Sequence, residues 1–254
     1  MDGTTKTSTT KTDGRVAIVT GGSGGIGRET AERLSEDGFS IVVNYAGNQE
    51  PADAAVASIT DAGGAAIAVR ADVADEAAVG ALFKTAQQEF EGVDVVVHAA
   101  GRMPLGPLAE LDLGVLDDLY RTNIRGTFVV AQQAVRQLRP GGAIINFSSS
   151  VVVIGRPGYT AYAASKGAVE ALSLTLAHEL RGRDITVNAV APGPTATPLF
   201  LNGKEPKTIA AMANESPLER LGTPQDIAEL VAFLASPAGH WVNGQVIRPN
   251  GGIV

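Results

Sequence analysis

The chain has 254 residues, with 20 Lys plus Arg against 27 Asp plus Glu, for a formal net charge of −7. That balance argues against a nucleic-acid binder, which needs a basic face, and against a polybasic membrane anchor. The absence of cysteine excludes disulfides, thiolate nucleophiles and Cys-ligated metal, and suits a reducing compartment such as the cytoplasm.

Residues 1–13, MDGTTKTSTTKTD, are Thr-rich and polar and read as a flexible tail, without the apolar core of a secretory signal. Beyond them, short apolar runs alternate with Ala-rich segments of helical period. Strands are expected at 16–20, 41–44, 65–70, 93–98, 143–147, 185–190 and 246–248. Helices are expected at 25–37, 51–62, 75–90, 116–138 and 162–180. The strands are Val/Ile runs without polar alternation, as when both sheet faces are covered. Strand–helix repetition implies a parallel sheet with right-handed crossovers. The prediction is one α/β domain over 14–254, a Rossmann-type doubly wound parallel sheet. The stretch 192–217 holds five prolines and no clear strand, and connections of that length are usually functional or mobile.

After the first strand comes Thr20-Gly21-Gly22-Ser23-Gly24-Gly25-Ile26-Gly27, then a helix. Glycines there let backbone N–H groups approach a pyrophosphate at a helix N-terminus. Two registers fit, Gly22-x-Gly24-x-x-Gly27 and Gly21-x-x-x-Gly25-x-Gly27. Further on, Tyr162 and Lys166 stand four apart, on one face of a helix. An ammonium there is expected to lower the phenol pKa and make the tyrosine a usable acid or base. Ser148-Ser149-Ser150 follows the strand at 143–147, at the carboxyl end that borders a ligand crevice in such sheets.

With these motifs in place, the chain resembles the short-chain dehydrogenase/reductase family in its shorter, single-domain form, over about residues 15 to 254. The family loop TGxxxGxG matches Thr20, Gly21, Gly25 and Gly27, which selects the second register. Its YxxxK matches Tyr162 and Lys166. Its serine stands thirteen positions before the tyrosine, at Ser149, and its helix asparagine is Asn123. The family's usual Asn-Asn-Ala-Gly departs here to His98-Ala99-Ala100-Gly101, and His98 is expected to be a hydrogen-bonded structural residue.

The resemblance implies reversible hydride transfer between a nicotinamide and a ketone or secondary alcohol, of the carbonyl or 3-ketoacyl type. It implies Tyr162 as proton donor, Ser149 as substrate anchor, Lys166 on the nicotinamide ribose, and Asn123 holding a water that links Lys166 to solvent. The implied cofactor contacts are Gly21, Ser23, Gly25, Ile26 and Gly27 for the phosphates, Asp72 and Val73 for adenine, and Ala99, Ala100 and Gly101 at the fourth strand's end. Pro192, Gly193, Thr195 and Thr197 would seat the carboxamide. NADP(H) is expected over NAD(H). The position that carries an acidic residue in NAD users is Tyr45, and Asn44, Ala46 and Asn48 surround it, with Arg28 as the nearby cation. Residues 194–217 resemble the family's substrate lid, and Met103, Leu105, Val151, Ile154 and Tyr159 are expected to line a partly apolar crevice. The helix 162–180 is apolar almost all round, so a second face needs a partner. The resemblance supplies one, another subunit in a homotetramer or dimer. No metal site is expected. A nucleotide-sensing protein without turnover is the alternative, disfavoured because all four catalytic positions are filled.

Overall fold

Seven strands form one parallel sheet in the order β3-β2-β1-β4-β5-β6-β7. They are β1 Val16–Thr20, β2 Ser40–Tyr45, β3 Ala66–Arg70, β4 Val95–His98, β5 Ala143–Phe147, β6 Thr186–Val190 and β7 Val246–Ile247. The computed structural model describes residues 14–254, so the predicted tail at 1–13 lies outside them. All residues of β1, β2, β4, β5 and β6 are buried, which is why these runs carry no polar alternation. The doubly wound single-sheet architecture is the one expected.

Helices cover both faces. On one lie α1 Gly25–Glu36, α2 Glu50–Asp61 and, from the far end of the chain, Pro224–Ala235, with Leu34, Ile59, Ile227, Val231 and Leu234 packed on Val19, Val43 and Ile145. On the other lie α3 Glu76–Phe90, the helix ending at Gln137 and the helix Thr160–Glu179, with Leu82, Phe83, Val130 and Leu176 packed on Ile18, Val96 and Ile144. Each such fully buried side chain contributes roughly 1.5–3 kcal/mol. Asp75 caps α3, its carboxylate accepting from Ala78 N at 3.0 Å.

The expected helix 116–138 begins earlier and is not regular. It opens as α4 Leu113–Tyr120, capped by Asp112, whose carboxylate accepts from Gly114 N at 2.7 Å. It widens into a π-turn at Arg121–Arg125 and resumes as α5 Gly126–Gln137. Short helices α6 Val151–Ile154, α8 Pro198–Leu201 and α9 Pro206–Asn214 flank α7 Thr160–Glu179 and build the proline-rich segment, and α10 is Pro224–Ala235. Helix α10 is absent from the expected elements. Its signature is local: Thr223 and Asp226 form a reciprocal capping box ahead of Pro224 at the first helical turn.

Candidate active site

Between β3 and β4 the chain crosses to the other side of β1, and the crevice of such a fold opens at that switch point, beyond the strand carboxyl ends. A crevice of about 390 Å³ lies there. Its phosphate end is the glycine turn between β1 and α1. Gly21 adopts φ 65°, and a Cβ on it would stand 2.9 Å from the Ala100 backbone nitrogen. A Cβ on Gly27 would meet the Gly21 carbonyl oxygen at 2.3 Å, so only glycine lets helix and turn close this tightly. Gly24 faces open space, and the N-terminus of α1 has no side-chain cap. The result is a bare-backbone cradle with unclaimed N–H groups, which fits a dinucleotide pyrophosphate.

Of the expected cofactor contacts, Gly21, Ser23, Gly25, Ile26, Gly27, Ala99, Ala100, Gly101, Tyr162, Lys166, Pro192, Gly193, Thr195 and Thr197 all line this crevice. Others are engaged elsewhere. Asn44 is buried, and its Nδ2 donates to the carbonyls of Val69 and Ala71 at 3.2 and 3.0 Å, tying β2 to β3. Tyr45 is 7% exposed and packs in the core, so its ring is not the surface at the end of β2; Ala46 is. Asn48 accepts from Glu50 N at the start of α2. The Asp72 carboxylate accepts from Ala74 N at 2.9 Å and from Arg121 at 2.7 Å, and these bonds hold its pKa below the usual range against the cost of burial. Val73 packs its side chain under Gly126 and can offer a ligand only backbone.

One cation near the end of β2 comes from strand register. Tyr45 pairs with Arg70, and Arg70 Nε donates to the Ala46 carbonyl at 3.2 Å. Arg28, the cation expected there, is held by Glu32 at 2.9 Å.

His98 ends β4 beside Thr20. Its Nδ1 lies 2.8 Å from Thr20 Oγ1, which also accepts from Ala100 N at 3.2 Å. It is therefore the hydrogen-bonded structural histidine expected. Its Nε2 is buried with no partner. Burial, then the nearby Lys166 ammonium, drives its pKa down to about 3, so the ring is neutral.

The four catalytic candidates come from three parts of the fold. Ser149 follows β5, Tyr162 and Lys166 occupy the first turns of α7, and Asn123 sits in the π-turn. The Ser149 hydroxyl stands beside Tyr162 and favours the ionised phenol. Lys166 is buried and donates from Nζ to the Phe147 carbonyl at 2.7 Å. Asn123 is clamped: Oδ1 accepts from Arg102 N at 2.8 Å, and Nδ2 donates to the Arg102 carbonyl at 2.9 Å and to Ser165 Oγ at 3.1 Å. The neighbouring Ser148 serves structure, donating to Glu170 at 2.8 Å.

The expected lowering of the Tyr162 pKa by Lys166 is not what this arrangement produces. Burial pushes the phenol up to about 12, opposed by the Ser149 hydroxyl. The ammonium lies 5.8 Å from the ring centroid, and burial brings its own pKa down to about 8.

The substrate end is closed by Met103, Val151, Ile154, Tyr159, Leu199, Phe200 and Met212. Leu105, expected here, is instead 42% exposed and does not line the crevice. Helices α8 and α9 lie within the segment read as a lid, Thr197 caps α8, and Leu199, Phe200 and Met212 from this segment line the crevice.

A family model described as enoyl-(acyl carrier protein) reductase matches residues 21–254. A short-chain type dehydrogenase/reductase of Picea abies is 44% identical over 253 residues, covering 95% of this chain and 93% of the relative. The chain belongs to the short-chain dehydrogenase/reductase family. It is an oxidoreductase of that family. An NADPH-dependent aldehyde reductase-like protein of Arabidopsis thaliana, described as chloroplastic, is 42% identical over 95% of this chain and 94% of that protein. A short-chain dehydrogenase of Burkholderia cenocepacia J2315, solved in complex with NADP, superposes with a TM-score of 0.90 at 36% identity, covering 96% of this chain and 99% of that one. The chain carries Tyr162 and Lys166 on one helix beside the glycine cradle. Among the described residues, no helix is long and apolar enough to cross a membrane.

Proposed function

We propose that this enzyme uses NADP(H) to interconvert a ketone or aldehyde and the corresponding alcohol. The observation that carries the reading is the convergence of Ser149, Tyr162 and Lys166 on the crevice that begins at the bare glycine cradle. Its preference for NADP(H) is supported by the NADPH-dependent relative and the NADP-bound neighbour, and by Arg70 beside Ala46.

When bound, the nicotinamide supplies or accepts the hydride. The protein supplies position and protons. Gly21 to Gly27 and the α1 N-terminus would hold the phosphates, and Pro192 to Thr197 the carboxamide. Ser149 would hydrogen-bond the carbonyl oxygen. Tyr162, protonated at neutral pH, would hand its proton to that oxygen as the alkoxide forms. Lys166 would hold the ribose. Both hydrogens of the Asn123 amide are engaged inside the protein, so a relay water would have to donate to Oδ1, which accepts from Arg102 N, or to the main-chain carbonyl, which accepts from Thr127 Oγ1 at 2.7 Å. Reduction of a panel of aldehydes and ketones, followed as loss of NADPH absorbance, tests the reading. No turnover with any of them by folded protein would sink it.

The reading includes a homotetramer, with a dimer as the smaller form. Its support is the exposed Phe128 on α5, at 57%, and Leu174 on α7, at 50%. Sedimentation equilibrium measures it directly. It also includes a cytoplasmic location, supported by the cysteine-free composition.

A further inference from the structure

Arg156 stands in the turn between α6 and α7, just after Gly155 ends α6 at φ 69°. Its side chain is 20% exposed and lines the substrate end of the crevice, close to Tyr159, Ile154 and Met212. The guanidinium forks onto Glu215, the residue that follows α9 in the cover. Nη1 donates to Oε1 at 3.1 Å, and Nη2 donates to Oε2. Glu215 does not line the crevice, and its side chain is 41% exposed. The pair thus runs from the rim of the catalytic crevice to the last turn of its cover.

The charges around the crevice give this pair a meaning. Among the described residues, no Asp or Glu lines it. Three cations do, and each is spoken for. Lys166 is directed at the Phe147 carbonyl, Arg102 lies 3.4 Å from Asp118, and Arg156 is held by Glu215. An unpaired guanidinium at the substrate end would attract a substrate carboxylate through the same two-pronged geometry. Here that position is already taken by a carboxylate of the protein. A charged substrate would have to displace Glu215, which would loosen the cover and leave two carboxylates competing for one cation. Beside the pair, the wall that Met103, Val151, Ile154, Leu199, Phe200 and Met212 contribute is apolar and offers an anion nothing in return. Glu215 is itself favoured in its charged form by the Arg156 contact.

We propose that the Arg156–Glu215 pair is a charge filter, which fastens the cover and restricts the crevice to uncharged carbonyl compounds, turning away those that carry a carboxylate. This rests on the reductase reading, and it deepens that reading by naming the substrate class. The two residues act on the substrate's charge and are not catalytic.

The test uses para-formylbenzoate and its methyl ester, which share one ring and one aldehyde and differ in charge. kcat/KM with NADPH is measured for the wild type, Glu215→Gln, Arg156→Gln and the double variant, with thermal melts to establish folding. The wild type should favour the ester by about tenfold, in line with the cost of opposing like charges. Glu215→Gln should narrow that ratio about fivefold by gaining on the carboxylate, because Arg156 becomes available to it. Arg156→Gln should not gain on the carboxylate, and the double variant should lose the gain seen in Glu215→Gln. A wild type that prefers the carboxylate, or a Glu215→Gln ratio like that of the wild type, would overturn the filter while leaving the reductase standing. Folded wild type that oxidises NADPH with neither aldehyde nor any ketone would overturn both.

Discussion

Lys166 donates from Nζ to the Phe147 carbonyl at 2.7 Å while lying 5.8 Å from the centroid of the Tyr162 ring. The lysine is thus anchored to the end of β5, beside the serine loop, and buried deeply enough that its pKa falls to about 8. Tyr162 stays protonated up to about 12. If the ammonium form is what binds ribose, reduction is fully supported below about 8 and declines as pH rises through that value. The profile of kcat/KM for NADPH, from about pH 6 to about pH 10, reads the free enzyme. A flat profile over that range would show that the ammonium is not needed. Lys166→Arg, charged throughout, should remove the decline in whatever activity it retains.

Tyr162→Phe should abolish turnover and leave NADPH binding nearly intact. The ring still packs against Tyr159, whose own ring meets it edge-on at 6.5 Å. The transferable proton is gone, a loss of about 10²–10⁴-fold in kcat. Near-normal rates in the folded variant would remove Tyr162 from the mechanism.

Ser149→Ala should be severely impaired in kcat, and Ser148→Ala much less so. The two serines should separate on stability in the opposite sense. Ser148 is buried and donates to Glu170, so its loss should cost about 1–3 kcal/mol in a chemical melt. Equal kinetic effects would show that the thirteen-residue spacing chose the wrong serine.

His98 makes acid stability a readout. Its folded pKa of about 3 lies below the unfolded value of 6.5, so the unfolded chain binds the extra proton between them. Stability is present above the unfolded value and is lost as pH falls through that window, by about 1.4 kcal/mol per pH unit for one proton. His98→Asn should show a shallower acid-side slope than the wild type, whatever its absolute stability. Identical slopes from about pH 6 to about pH 4 would mean that His98 is not held neutral.

For the cofactor, the surface residue at the end of β2 is Ala46, and the cation beside it is Arg70. Arg70→Ala should raise the Kd for NADPH by about tenfold and leave NADH nearly unchanged, as for loss of one charge-assisted contact. Ala46→Asp should move the binding ratio towards NADH. Fluorescence titration of the two reduced cofactors measures both. A Kd for NADPH unmoved by Arg70→Ala would exclude the contact. Tyr45→Asp is the poorer probe, since it would bury a carboxylate in the core.

The sheet was legible because its strands are buried on both faces, so Val/Ile runs mark them to within a residue or two; β4 alone starts two residues later than its apolar run. Helix α10 is marked in the sequence by the local capping signal Thr223-Pro224-Gln225-Asp226. The glycine, tyrosine and lysine positions were legible because each must hold a fixed spacing within one turn or helix, and Ser149 was legible only through the family's thirteen-residue spacing to the tyrosine. What stayed hidden is contact across elements. Arg70 reaches Ala46 by strand register, and Glu215 reaches Arg156 across 59 positions of chain. The raised Tyr162 pKa likewise comes from burial, which a pair of letters four apart does not encode.

The π-turn at Arg121–Arg125 confines an extra residue to one place in the helix. A π-turn holds one residue more than the α-helical path it replaces, so the faces before and after it keep their phase. The widening falls on Asn123, held by Arg102 and Ser165, while Val129, Val130 and Ala134 downstream stay under the sheet. Deleting one residue from the turn should therefore restore a regular helix, keep the packing of α5, and cost the Asn123 clamp first.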